Sequence, residues 1–198
     1  IENVVWDNVS WDLLLIGDDQ DNIISSGSGN DTISGGSGND TLDGGGGTNT
    51  LSGGVGDDTY KYAYDGVTTI TDTSGLDNLF LTTRDASGTS YWGDGGYYDG
   101  NDLIISTSES SENKLTIKDA ALSTNKIETV TYNAADNNYE SYSIKLADHG
   151  EVSDTEGLLY FGTLGNDVIM TGAGYGEIYL NDGDDTATLG NDGGWARG

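Results

Sequence analysis

The feature that most constrains this chain is a nine-residue period. Written in blocks from Gly17, it reads GDDQDNIIS, SGSGNDTIS, GGSGNDTLD, GGGGTNTLS and GGVGDDTYK. A large apolar residue returns at the eighth position of every block: Ile24, Ile33, Leu42, Leu51 and Tyr60, with Leu15 one step earlier. The first six positions are small and polar, as a tight turn requires. The last three alternate outward, inward, outward, as in Thr41-Leu42-Asp43, which is the pattern of a short strand. One apolar side chain per block is too little for a core. Stacked blocks each add one inward residue to a continuous column, so the chain is expected to coil on itself. Two blocks make one coil, with strands on opposite sides. The expected fold class is all-β, a right-handed parallel β-roll.

Composition narrows the partners. The chain has 34 acidic residues, 26 of them aspartate, against 7 basic ones, for a net charge of -27. Such charge can mean disorder, but a disordered linker has no need of one apolar residue in nine. The charge repels phosphate backbones and anionic lipid, so neither nucleic acid nor membrane is an expected partner. The longest aliphatic run, 13–16, is far too short to span a bilayer. The natural partner is a cation. Absence of cysteine excludes a disulfide framework and a thiolate zinc site, and leaves the redox compartment open. The chain begins at Ile1 without a signal peptide and reads as an internal piece of something longer.

The sixth position of the blocks is Asn22, Asp31, Asp40, Asn49 and Asp58. In a two-block coil, equivalent turns lie eighteen residues apart. One edge then stacks Asn22, Asp40 and Asp58, and the other stacks Asp31 and Asn49. Carboxylates one strand spacing apart, about 5 Å, repel unless a cation sits between them. Carboxylates and turn carbonyls together offer the flexible oxygen shell that calcium takes; magnesium, which wants tight octahedral geometry, fits less well.

The block pattern G-G-x-G-x-D-x-U-x, with U apolar, is matched at every position by GGSGNDTLD from Gly35, and by GGVGDDTYK from Gly53 with Tyr60 as U. Over residues 17–61 the chain resembles the RTX (repeats-in-toxin, haemolysin-type) calcium-binding nonapeptide family. The resemblance implies calcium held between the sixth-position aspartates of two stacked turns, completed by turn carbonyls. Carried over, the best site pairs Asp40 with Asp58. The pair Asn22 and Asp40 has one carboxylate, with Asp19 and Asp21 nearby, and the pair Asp31 and Asn49 also has one. The turn residues implied as carbonyl donors are Ser26, Ser28, Gly35, Ser37, Gly44, Gly46, Gly53 and Val55. Several ions, three or more, are expected. Asn22 and Asn49 depart from the pattern in being neutral, and Gln20 replaces a turn glycine, so those sites are expected to be weaker. The resemblance further implies folding on calcium binding after bacterial type I secretion, an extracellular or cell-surface location, and a spacer role, as in an adhesin.

Beyond Tyr60 the ninefold register breaks. Residues 62–157 read as a flanking β-sheet region, with Val67, Ile70, Leu79 and Leu81 as inward residues and further strands at DLIIST from Asp102 and NKLTIKD from Asn113. By resemblance, this sheet caps the open end of the roll. Asp72 and Asp77 read as turn residues around Ser74-Gly75, with another calcium site as the alternative. An insert at 87–101 carries Tyr91, Trp92, Tyr97 and Tyr98, expected to pack on the sheet, with a carbohydrate-binding platform as the alternative.

A second, truncated array occupies 158–198: GTLGNDVIM, TGAGYGEIY and LNDGDDTAT, with an apolar column of Ile169, Ile178 and Ala187 preceded by Tyr160. Asp167 and Asp185 share one of its edges as metal-ligand candidates; Gly176 leaves the other edge without a carboxylate. Flanking segments recur too. IENVVW at Ile1 matches IETVTY at Ile127, and LLLIGDDQDNII at Leu13 matches LLYFGTLGNDVI at Leu158. The chain thus reads as tandem modules, with 1–16 closing a preceding one and neighbouring modules of the same polypeptide as partners.

No enzyme is expected. One histidine, His149 in ADHGE, reads as a solvated turn residue, and neither H-E-x-x-H nor G-x-S-x-G occurs. Carboxylate pairs are abundant, but with so many acids they arise by chance. Two further readings are a carbohydrate-binding module using the 91–98 loop, or another non-catalytic domain of a polysaccharide-active enzyme, and an ice-binding face built on Thr32, Thr41, Thr50 and Thr59, with only two threonines on each side.

Overall fold

Each nonapeptide closes half a coil, so successive strands fall alternately on two sheets. In the computed structural model the described residues are 3–63, 66–82, 96–106, 113–120, 127–133, 143–146, 151–154, 159–161, 168–171, 176–180, 183–190 and 193–198. The first nine strands are β1 (Asn3–Val5), β2 (Leu14–Ile16), β3 (Ile23–Ser25), β4 (Thr32–Ser37), β5 (Thr41–Asp43), β6 (Gly47–Val55), β7 (Thr59–Tyr62), β8 (Gly66–Thr71) and β9 (Asp77–Thr82). The odd-numbered strands pair in parallel in the order β1-β3-β5-β7-β9, and the even-numbered ones in the order β2-β4-β6-β8. This is the parallel β-roll, and every named element is a strand.

The register follows the apolar column. Leu15 pairs with Ile33 and Ile33 with Leu51 in one sheet; Ile24 pairs with Leu42 and Leu42 with Tyr60 in the other. All six are buried and belong to one continuous core cluster between the sheets. Burying a leucine or isoleucine fully contributes about 1.5–3 kcal/mol, and each coil here repeats that contribution with the same side-chain position.

The parallel ladder continues through the point where the sequence period stops. Leu51 pairs with Ile70 and Tyr60 with Leu79, each nineteen residues on. One added residue per coil erases the ninefold signature and leaves the strand pairing intact. Ile70, Leu79 and Leu81 are buried as expected, whereas Val67 is half-buried and Thr68 faces the core at 2 % exposure. The reason is the period of two along β8: with Ile70 fixed inward opposite Leu51, Thr68 is inward and Val67 is not.

The remaining strands are β10 (Gly96–Asp99), β11 (Asp102–Ser106), β12 (Lys114–Ile117), β13 (Ile127–Asn133), β14 (Ser143–Leu146), β15 (Glu151–Asp154), β16 (Leu159–Phe161), β17 (Val168–Thr171), β18 (Gly176–Tyr179), β19 (Thr186–Thr188) and β20 (Gly194–Arg197). β12 adds in parallel to β8, and β13 in parallel to β9, so both original sheets grow. β10 and β11 form an antiparallel extension on β12. β13 continues through β14, β16, β18 and β20, while β15, β17 and β19 form a separate three-stranded parallel sheet. In this second array Tyr160 pairs with Ile178, and Ile169 with Ala187, eighteen residues apart in each case. Ile169 and Ile178 form their own small buried cluster.

The turns demand glycine for a reason visible at Gly36 and Gly54. Both have left-handed backbone, with φ of 118° and 119°. A Cβ on Gly54 would stand 2.1 Å from the Gly36 carbonyl oxygen of the coil below. Coils stacked this closely leave no room for a side chain at that position.

Candidate metal centre

The turns at one end of the strands bring the sixth-position residues into a buried column. Asn22, Asp40 and Asp58 are each 1 % exposed, and Asp77 of the next coil is 2 % exposed. They are linked head to tail. The Asn22 N–H donates to Asp40 Oδ1 at 2.7 Å, the Asp40 N–H to Asp58 Oδ1 at 2.7 Å, and the Asp58 N–H to Asp77 Oδ1 at 2.8 Å. The opposite edge repeats the device: the Leu13 N–H donates to Asp31 Oδ1 at 2.8 Å and the Asp31 N–H to Asn49 Oδ1 at 3.0 Å. Asn22, Asp40 and Asp58 on one edge, and Asp31 and Asn49 on the other, stack at the eighteen-residue spacing; Asp77 extends the first stack by a nineteen-residue step.

Each carboxylate thus spends one oxygen on the neighbouring coil. The other is different. Asp31 Oδ2, Asp40 Oδ2 and Asp58 Oδ2 are buried side-chain oxygens with no hydrogen-bond partner. A buried anionic oxygen without a partner carries the full cost of leaving water. Asp40 Oδ2 lies over Gly35 and Asp58 Oδ2 over Gly53, so that a Cβ there would meet them at 2.2 and 2.1 Å. Gly35 and Gly53, the first residues of their blocks, are therefore the floors of carboxylate-lined recesses. These residues fit a hard cation: the donor set is all oxygen, the second carboxylate oxygens lack partners, and the recess is kept open by glycine. The electrostatics agree. Burial raises Asp40 above its ordinary range, with the charges of Asp21 and Asp18 adding to it. Burial pushes Asp58 up to about 7, and the charges of Asp72 and Asp40 add to it.

The other sequence candidates are placed as follows. Ser26 is buried, and its Oγ donates to the Gly44 carbonyl at 2.9 Å. Gly35, Gly44 and Gly53 are buried, Ser37 and Gly46 half-buried, and Ser28 and Val55 exposed. Asp19 and Asp21 stand on the surface, outside the buried column, where Asp21 Oδ1 accepts the Asn39 N–H at 2.8 Å. Asn22 keeps its place in the column as a neutral member, its Nδ2 donating to Asp18 Oδ1 at 3.2 Å. Asp185 is half-buried, and Asp167 lies outside the described residues. Tyr91, Trp92 and His149 also lie outside them, and Tyr97 and Tyr98 are placed on strand β10.

Two features escaped the sequence reading. The fifth position of the blocks forms a second, exposed ladder: Asn30 Oδ1 accepts the Thr48 N–H, Asn39 Oδ1 the Asp57 N–H, and Asp57 Oδ1 the Leu76 N–H, all at 2.9 Å. Its signal in the sequence is Asp21, Asn30, Asn39 and Asp57 at position five, with Thr48 as the exception. The other is the joining of Asp58 to Asp72 and Asp77, the pair that the sequence offers as an alternative calcium site: carboxylate oxygens of the three lie within 4.8 Å of one another, and all three residues are buried.

Comparison with known families matches the RTX calcium-binding nonapeptide repeat, in four copies, at residues 14–33 and 25–60. The resemblance to RTX repeats is thus shown for residues 14–60. A search of curated proteins found no match. The matched span contains the RTX blocks that carry Asn22, Asp31, Asp40, Asn49 and Asp58, and it ends at Tyr60, where the coil lengthens to nineteen residues.

Proposed function

We propose that this chain is a calcium-dependent folding module of a secreted RTX protein, acting as a structural spacer between neighbouring modules of the same polypeptide, as in an adhesin, and not as an enzyme. The observation that carries the reading is the pair of buried, partnerless Oδ2 atoms of Asp40 and Asp58 on stacked coils. Asp40 and Asp58, with carbonyls of their turns, would hold one ion. Asp31 with Asn49, and Asn22 with Asp40, would hold others. A bound ion would supply positive charge beside the partnerless Oδ2 atoms of Asp40 and Asp58, and would tie adjacent coils together.

The energetics favour a switch. Without cations, a net charge of -27 repels itself and one apolar residue per strand must overcome the chain entropy. A site filled at 100 times its dissociation constant contributes about 2.7 kcal/mol, so three contribute about 8 kcal/mol, comparable to the whole stability of a domain. Sites tuned to millimolar calcium stay empty inside a cell and fill outside it. That contrast suits a chain exported unfolded by type I secretion. The test is a calcium titration of the chelator-treated chain followed by far-UV circular dichroism, with magnesium as control. A cooperative gain of β signal with calcium alone is expected. A chelated chain already fully folded, and unchanged by calcium, would overturn the reading.

A further inference from the structure

Strand β8 ends at Thr71, paired with Ser52, and the next residue breaks the repeat. Asp72 stands opposite Gly53, between the Ser52–Thr71 pair and the Val55–Ser74 bridge, where earlier blocks have the first glycine. A carboxylate therefore enters the recess that glycine keeps open in the coils below. It does not stand alone there. Tyr60, which takes the place of the repeat's aliphatic residue, is fully buried, and its hydroxyl donates to Asp72 Oδ2. The same hydroxyl accepts the Gly53 N–H at 2.7 Å. Asp72 Oδ1 accepts the Ser74 N–H at 2.9 Å.

Asp58 completes the arrangement. Its Oδ1 is engaged by the Asp40 N–H, and its Oδ2 is buried without a partner. That Oδ2 and the Tyr60 hydroxyl both crowd Gly53, at 2.1 and 2.4 Å from where its Cβ would be. The partnerless oxygen thus faces the recess that Tyr60 and Asp72 share. Asp77, five residues after Asp72 as Asp58 is after Gly53, is the third carboxylate of the group. Three carboxylates are more than a stacked pair of turns requires. The charge of Asp72 acts on the buried Asp58 as a like charge, a cost that a cation between them would offset.

We propose that Asp58, Asp72 and Asp77 form a further divalent-cation site of the calcium class, which closes the end of the aspartate column, with Tyr60 as a positioning residue for Asp72. The proposal rests on the calcium-binding reading above and adds Asp72 and Asp77, from beyond the repeats, to the last repeat aspartate. Three carboxylates give it more negative charge than any pair in the repeats, so it is the tightest site in the chain. The substitutions Tyr60 for an aliphatic residue and Asp72 for glycine explain each other: the buried hydroxyl needs an acceptor, and the carboxylate needs an orienting donor.

The test is isothermal calcium titration of the full chelator-treated chain, comparing wild type with Asp72→Asn and with Tyr60→Phe. Asn at 72 keeps an acceptor for the tyrosine hydroxyl and removes the charge. The expected result is that Asp72→Asn weakens the tightest class of sites by about tenfold or more, or removes one ion, and leaves the remaining sites unchanged. Tyr60→Phe is expected to weaken the same class less. Circular dichroism of the calcium-loaded variants checks folding, and Asp72→Gly, which restores the repeat residue, replaces any variant that fails to fold. A titration of Asp72→Asn (or Asp72→Gly) superimposable on wild type would overturn the proposal while leaving the repeat sites intact. A wild-type chain that takes up no calcium would instead overturn the underlying reading as well.

Discussion

Asp40→Asn separates a metal ligand from a structural acceptor, because the two roles belong to different oxygens of one side chain. Oδ1 accepts the Asn22 N–H at 2.7 Å, and asparagine keeps that acceptor. Oδ2, buried and partnerless, becomes an uncharged amide. In chelator the change removes a charge that burial disfavours, so the metal-free roll should keep its stability or gain some. In calcium it should lose at least the site shared with Asp58, about 2.7 kcal/mol at 100 times the dissociation constant. For a chain of this size each kcal/mol moves Tm by about 2–4 °C, so the calcium-loaded variant should melt about 5–11 °C lower. Thermal melts of both proteins, each in calcium and in chelator, measure the difference. Equal losses in the two conditions would refute the argument, since Asp40 would then act only as a hydrogen-bond acceptor.

Two other outcomes follow from described geometry. Gly54→Ala places a Cβ 2.1 Å from the Gly36 carbonyl at a φ of 119°; urea titration in saturating calcium should show a loss of about 1–3 kcal/mol or more. Asp58 is raised from 3.8 to about 7 in the metal-free fold. Between those values the native state binds more protons than the unfolded chain, so metal-free stability falls as pH rises through about 7 and is regained on acidification toward 4. Calcium competes with that proton, so its affinity should drop below pH 7; chelator melts and calcium titrations across pH 4–8 check both signs.

The legible part of the fold is the part where one physical demand recurs at a fixed interval. Leu15 to Tyr60 revealed the coil because each inward residue repeats the same packing problem, and Asn22, Asp40 and Asp58 fell into a column because turns must stack when strands do. Asp77 belongs to the same column, but the nineteen-residue step from Asp58 hid it from a search for period nine. Asp72 reads as a turn residue, with a calcium site as the alternative, and it does bind the Ser74 N–H two residues on, as such turns do. Its approach to Tyr60 depends on the pairing of β6 with β8, which local sequence does not encode. The same holds for Thr68 and Val67, where strand pairing decided the inward face against hydrophobicity. The hairpin of β10 and β11 has no periodic trace either, since antiparallel strands around a short turn carry only the general preference for tyrosine and isoleucine.

The eighteen-residue offset between paired strands has a mechanical consequence. A coil advances the roll by one strand spacing, about 4.8 Å, while the same residues pulled straight span about 60 Å. Tension along the polypeptide would therefore peel the outermost coil first and lengthen the chain about twelvefold for that stretch. The coil beneath would stay shielded until its own turn came. On the proposed reading, an ion bound between two turns would sit at the seam where such peeling begins, so calcium concentration would set the force at which a coil gives way.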